Sequence, residues 1–265
     1  MAVMNVTYMS AILRRYVDVK VILPIEDTKM LDPALVKKPE KFKTLYLLHG
    51  YSGDSSAWLY GSRIFKLARD RNLAVVMPSG ENSFYIDRED VQVMYGRFIA
   101  KELVDITRKM FPLSSLKEDT FIGGLSMGGY GSLLIGSKYN DVFGGIITLS
   151  GPVLLPDLPF EKQLIANLNP SLTKGYFEHI FGNLDGIIGS ENDALFMVLK
   201  AHAEQKLPRL YIACGTEDYV YENVITYVNI LKKNHVAFTF EEGTGAHEWT
   251  FWDSYIEKGI DWYLR

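Results

Sequence analysis

Five residues, Gly124-Leu125-Ser126-Met127-Gly128, restrict what this chain can fold into more than any others do. Before them runs Asp119-Thr120-Phe121-Ile122-Gly123, a short β-prone apolar stretch, and after them Gly129-Tyr130-Gly131-Ser132-Leu133-Leu134-Ile135 reads as the opening turns of a buried helix. A serine between two glycines at a strand-to-helix junction is the signature of a nucleophile elbow. The turn is too tight for a Cβ near the serine, so glycines flank it. It projects the hydroxyl out of the sheet, where a base can reach it. The pattern alone is common; its setting makes it informative.

Strands and helices alternate along nearly the whole chain. Tyr16 to Leu23 alternates apolar and polar side chains, as a half-buried strand does. Thr44–Leu48, Ala74–Met77, Thr120–Ile122, Gly145–Leu149, Leu210–Ala213 and Val236–Phe240 are instead apolar runs, expected of parallel strands covered on both faces. Helical spacing fills the gaps: Phe98, Leu103, Ile106 and Met110; then Val224, Val228 and Leu231; then Trp249, Trp252, Ile256 and Ile260. Ser190 with Asp193 reads as an acidic capping box opening a helix through Leu195, Val198 and Leu199. Alternation of this kind predicts an α/β chain with a mostly parallel central sheet and helices on both faces. No repeat or linker divides it, so a single domain over residues 1–265 is expected.

One connection is longer than a crossover helix requires. Residues 151–208 separate two of the expected strands, and Gly151-Pro152, Leu155-Pro156 and Leu158-Pro159 punctuate the start. An excursion at the C-terminal edge of a parallel sheet sits where ligands bind, so 151–208 is expected to form a small cap.

Composition removes several classes of function. A net charge of −4 offers no basic surface for nucleic acid. Cys214 is the only cysteine, which excludes an internal disulfide and a thiolate metal cluster. The first residues lack the basic region and apolar run of a signal peptide, and no stretch approaches the ~20 apolar residues of a membrane span. A cytoplasmic protein is expected. The five histidines show no metal-ligand spacing and no phosphate-binding Gly-rich loop ending in Lys-Ser/Thr occurs, so neither metal nor cofactor is expected. Self-association is common at this size, but the sequence identifies no interface.

A serine is a poor nucleophile unless a base takes its proton, and the base needs an orienting acid. Where an elbow presents the serine, the order along the chain is Ser, acid, His. Of the histidines after Ser126, His247 lies in Gly243-Thr244-Gly245-Ala246-His247-Glu248-Trp249, between the last strand and the last helix. His179, His202 and His235 read as surface or packing residues. The acid is Asp218, in the strand-end turn Cys214-Gly215-Thr216-Glu217-Asp218-Tyr219; Glu217 reads as an exposed turn residue. The backbone amides of Tyr51, following Leu48-His49-Gly50, and of Met127 are the expected oxyanion hole. His49, before a tight glycine turn, reads as structural. Trp58, Phe84, Tyr85 and Trp249 lie beside sheet-edge loops and are candidate walls of a substrate pocket.

With these residues in hand, the chain resembles the esterase D-like α/β-hydrolases, and within them the bacterial tributyrin esterases. The matching segments are Leu47-Leu48-His49-Gly50 with Trp58, Met77-Pro78 leading to Asn82-Ser83-Phe84-Tyr85, Gly123 to Gly131, and Phe181-Gly182 with Gly189 to Asp193. Gly215-Thr216-Glu217-Asp218 and Gly245-Ala246-His247-Glu248-Trp249 complete the set, in order along most of the chain. The resemblance implies an α/β-hydrolase fold, a triad of Ser126, Asp218 and His247, and short-chain acyl esters, acetyl to butyryl, as substrates of a serine carboxylesterase. It leaves open a deacetylase or feruloyl esterase acting on acylated carbohydrate, or an acyltransferase with the same triad. S-formylglutathione hydrolases typically carry a cysteine-containing loop where this chain reads Tyr51-Ser52-Gly53-Asp54, and serine and tyrosines where it reads Glu248-Trp249 after the histidine. Both departures count against that activity.

Overall fold

The computed structural model describes residues 1–25, 41–155 and 173–265. Of the expected cap, residues 156–172 lie outside the described residues. The strands are β1 Ala2–Ser10, β2 Arg15–Leu23, β3 Lys43–Leu48, β4 Leu73–Pro78, a short ribbon of β5 Asp87–Arg88 and β6 Val93–Met94, then β7 Thr120–Leu125, β8 Gly145–Leu149, β9 Arg209–Gly215 and β10 Thr239–Gly243. Eight of them form one sheet in the order β1-β2-β4-β3-β7-β8-β9-β10. β2 runs antiparallel to both neighbours; from β4 to β10 every pairing is parallel.

The apolar runs of β3, β4, β7, β8 and β9 are buried on both faces, and the alternation of side chains divides them between two cores. From β3, Tyr46 and Leu48 enter one core while Leu45 and Leu47 enter the other; from β4, Ala74 and Val76 part from Val75 and Met77 in the same way. The first core also holds the helices Met127–Lys138, Ala194–Ala203 and Tyr221–Lys233, and the second holds Ile64–Asp70 and Trp249–Leu264. The result is a sheet between two helical layers, as the alternation predicts. Burying one such large apolar side chain stabilises the fold by roughly 1.5–3 kcal/mol. Arg71 reaches Asp261 and Glu257, and Arg63 reaches Asp253 and Glu257, fastening the last helix to Ile64–Asp70. No described helix is long and apolar enough to cross a membrane.

Three local features differ from the sequence reading. No strand is expected in the first ten residues, yet β1 pairs with β2 along its whole length. Met4, Val6 and Tyr8 turn toward the core, but Val3 and Met9 on the exposed face are apolar too, which hides the two-residue period. Glu102 accepts the amides of Ala11 and Ile12 and the hydroxyl of Ser10, and so anchors the hairpin turn. The last strand is Thr239–Gly243, three residues later than the apolar run Val236–Phe240 suggests. It lies at the sheet edge, where pairing with β9 (Thr239 opposite Tyr211) sets its extent instead of burial.

The third difference is a helix cap. Ala194–Ala203 is capped by Asp193, and the Ser190 hydroxyl accepts the amide of Asn192 instead of capping the helix. The buried carboxylate of Asp193 accepts Phe196 N at 3.1 Å and Gly189 N at 2.9 Å. This helix packs along Met127–Lys138, so the expected 151–208 excursion contains the crossover helix of the sheet at its far end. Replacing Asp193 with Ala should lower the unfolding free energy by about 1–2 kcal/mol, read from urea denaturation. Asp193→Asn keeps an acceptor and should lose less.

Candidate active site

The parallel strands end at one edge, and the loops leaving them carry the residues singled out by sequence. At the end of β7 the chain turns directly into the helix Met127–Lys138. Ser126, at the turn, has φ 52° and ψ −118°, a backbone state that costs a non-glycine residue roughly 1–3 kcal/mol. Its neighbours hold it there: Ser126 N donates to Leu149 O at 2.8 Å, and its own carbonyl accepts Tyr130 N at 3.0 Å. A Cβ on Gly124 would stand 2.3 Å from Gly128 O, and one on Gly128 2.5 Å from Leu48 O and 2.6 Å from His49 O. The obstructing atoms are backbone, so no side chain can move aside to admit even a methyl group.

His247 and Asp218 converge on this serine. His247 Nε2 lies 2.9 Å from Ser126 Oγ, and Nδ1 lies 2.9 Å from both carboxylate oxygens of Asp218. Asp218 Oδ1 also accepts Val220 N at 2.9 Å, and its side chain is wholly removed from water. Glu217 is exposed. The two loops are pinned to each other, Thr216 N donating to Gly243 O and Glu217 N to Gly245 O. A Cβ on Gly215 would meet Gly245 O at 2.1 Å, so their approach also depends on a glycine. Of the other histidines after Ser126, His179 and His235 are exposed, His202 is half-buried in the helix Ala194–Ala203, and none borders the cavity at Ser126.

A run of aromatic rings supports the imidazole. Trp252 meets it edge-on at 4.8 Å and donates from Nε1 to Ser150 Oγ; Trp249 packs on Trp252, and Trp58 on Trp249. Tyr219 lies 4.3 Å from His247 on another side. Burial, with the Asp218 carboxylate nearby, pushes the Tyr219 phenol well above its ordinary range, so it stays a hydrogen-bond donor. Neither Tyr219 nor Trp252 is singled out as a site residue by sequence. Their signals were position alone: one follows Asp218, and the other stands one turn beyond Trp249 on the helix.

The cavity above Ser126 has a volume of about 590 Å³, and its apolar wall includes Leu125, Met127, Pro152, Phe84, Trp249 and Trp252. Two of the four aromatic candidates, Phe84 and Trp249, therefore line it. The other two do not. Trp58 is buried and donates to Leu48 O, and Tyr85 is buried and donates to His49 O. Both hold the loop after β3 from beneath, because their polar tips needed partners once the rings were buried. Tyr51 and Met127 border the cavity, and among the described residues their backbone N–H groups have no acceptor.

His49 is buried. Its Nε2 accepts Gly80 N at 2.8 Å and its Nδ1 donates to Gly50 O at 2.7 Å, partners that fix a neutral tautomer. Burial holds its pKa below the ordinary imidazole value. Below about pH 6.5 the unfolded chain takes up a proton that the folded state refuses, so stability is lost as pH falls. The stability advantage of the wild type over His49→Gln should therefore shrink between pH 8 and pH 5 in thermal unfolding. An advantage constant across that range would overturn this assignment.

A mostly parallel eight-stranded sheet of this order, carrying its site at the C-terminal edge, defines an α/β-hydrolase. The chain belongs to the esterase family described as “Putative esterase”, which matches residues 10–260. An acetyl esterase of Caldicellulosiruptor saccharolyticus is 39% identical over 268 residues, covering 100% of this chain and 99% of the relative. Among solved structures, the substrate-bound fluorophosphonate-binding serine hydrolase F of Staphylococcus aureus superposes with a TM-score of 0.82 at 30% identity, covering 100% of this chain and 98% of the other. The apoenzyme of an S-formylglutathione hydrolase from the same organism also has a TM-score of 0.82, at 31% identity and covering 100% and 99%. The protein is a carboxylic ester hydrolase of the serine type.

Proposed function

We propose that the enzyme hydrolyses short-chain acyl esters, acetyl to butyryl, with Ser126 as nucleophile, His247 as general base and acid, and Asp218 as the group that orients His247. The observation that carries this reading is the unbroken run of hydrogen bonds from Asp218 through His247 to Ser126 at the floor of the cavity. His247 takes the Ser126 proton as the hydroxyl attacks the ester carbonyl. The amides of Tyr51 and Met127 receive the oxyanion, each such donor being worth roughly 3 kcal/mol to the transition state. His247 then gives its proton to the departing alcohol, and water discharges the acyl-enzyme by the same route. Asp218, away from water and fixed by Val220 N, holds Nδ1 protonated and leaves Nε2 free to act as the base.

The short acyl range is supported by the aromatic wall of the cavity and by the acetyl ester named for the Caldicellulosiruptor relative. The likeness to the S-formylglutathione hydrolase supports a second reading, which the residues at Tyr51–Asp54 and Glu248-Trp249 oppose. The same proposal takes residues 1–265 as one domain and 151–208 as an insertion beside the site. Pro152 at the cavity and the packing of Phe177 and Phe181 on Phe84 support it. A cytoplasmic setting is consistent with Cys214, a buried thiol that burial keeps protonated.

Hydrolysis of p-nitrophenyl esters from acetate to octanoate tests the reading, with S-formylglutathione assayed alongside. Turnover should fall steeply beyond butyrate. Ser126→Ala should lose on the order of a millionfold in kcat, and Asp218→Asn about ten-thousandfold. Preference for S-formylglutathione over every acyl ester would replace this proposal with the second reading.

A further inference from the structure

Tyr219 follows Asp218 directly, and the turn that aims the carboxylate also aims this ring. Asp218 N donates to Gly215 O at 3.2 Å and Tyr221 N to Asp218 O at 2.9 Å, while Val220 is buried with its amide on Asp218 Oδ1. Tyr219 is thus fixed from both sides. Its ring lies 4.3 Å from the imidazole of His247 with the two planes 37° apart, so it overlies the base, whereas Trp252 meets His247 at 89°.

The hydroxyl at the end of this ring reaches the reacting atoms. Tyr219 borders the cavity and is 41% exposed, and its hydroxyl interacts with the side chain of Ser126. Burial keeps the phenol protonated, so the group can donate. Other polar side chains on the wall are engaged or stand apart. Trp252 Nε1 is taken by Ser150 Oγ, the Tyr51 ring packs edge-on against Tyr176, and Tyr60 stands 88% exposed at the rim. Among the described residues, Tyr219 alone joins a hydroxyl to a ring packed on His247.

We propose that the Tyr219 hydroxyl is a third hydrogen-bond donor beside the two amides, and that it serves the oxygen of the departing alcohol. The tetrahedral carbon bonded to Ser126 Oγ carries two further oxygens. One is the oxyanion, received by the amides of Tyr51 and Met127. The other is the ester oxygen, which must leave beside His247 Nε2, and a donor that overlies His247 and reaches Ser126 stands next to it. As the C–O bond breaks, its electron pair passes to that oxygen and His247 Nε2 supplies the proton. The Tyr219 proton stays on its phenol and hydrogen-bonds to the growing negative charge. The gain is largest for a poor leaving group, on which more charge develops before the proton arrives; a p-nitrophenolate departs without such help. The inference rests on the triad assigned above and extends it from the acyl group to the leaving oxygen.

The test is Tyr219→Phe, which keeps the ring against His247 and removes only the hydroxyl. kcat/KM is measured for p-nitrophenyl, phenyl and ethyl acetate, which share one acyl group and differ in the leaving oxygen. Ethyl acetate should lose about tenfold or more, the equivalent of one hydrogen bond to a charged group, and p-nitrophenyl acetate about twofold or less. Phenyl acetate should fall between them, so that kcat/KM depends more steeply on the leaving group than in the wild type. A displaced His247 would lower all three substrates equally. Such a uniform loss, or no loss on any of them, overturns the role, and so does a wild type that cleaves p-nitrophenyl acetate but not ethyl acetate. Failure of the wild type on p-nitrophenyl acetate overturns the esterase reading itself, and this inference with it.

Discussion

The site rests on backbone packed against backbone. The first turn of the helix after β7 passes so close to the ends of β3 and β7 that hydrogen is the only side chain that fits at Gly124 and Gly128. That proximity holds Ser126 in a conformation it would not adopt in a free peptide and leaves the amide of Met127 without a helical acceptor. The same device recurs between the loops of Asp218 and His247, where Gly215 lies under the carbonyl of Gly245. Side-chain geometry at the site follows from two close crossings of main chain, each over-determined by the parallel sheet beneath it.

Much of this was legible in the residues. Strands covered on both faces must be apolar throughout, so β3, β4, β7, β8 and β9 announced themselves as continuous runs. Ser126 and Asp218 stood out because each sits in a glycine-marked turn at the C-terminal end of such a run, and His247 because a glycine-marked turn holds it between the last strand and the last helix. The edges of the sheet were harder. β1 carries apolar side chains on both faces, and β10 owes its extent to hydrogen bonds with β9, neither of which periodicity records. The aromatic residues were hardest of all. Phe84 and Tyr85 are adjacent in sequence and share a left-handed backbone, yet one ring borders the cavity and the other is sealed beneath a loop. Tyr85 is drawn under the loop by the hydroxyl it donates to His49 O, and Phe84, with no polar group, is left at the cavity; the partner His49 O is visible only in three dimensions.

Polar groups near the site are sorted by burial. His49 is withdrawn from water, engaged on both nitrogens and kept neutral, so it serves the loop instead of the chemistry. Asp218 is equally withdrawn, but it faces an imidazole whose far nitrogen reaches the serine. On the outer side of Tyr60, Asp54 keeps its charge at the surface. One short segment thus separates the apolar cavity at Ser126 from the exposed carboxylate of Asp54.

The sequence distances spanned by these contacts bear on how the chain becomes competent. Ser126 and His247 are 121 residues apart, Asp218 and His247 29 apart, and the carbonyls of Leu48 and His49 must be in place before Gly128 can settle. Contacts so distant along the chain form late, because loop-closure entropy must be overcome before they contribute. Contacts of this range exist only where the sheet has closed, so the geometry around Ser126 reports on the complete fold and not on any one segment.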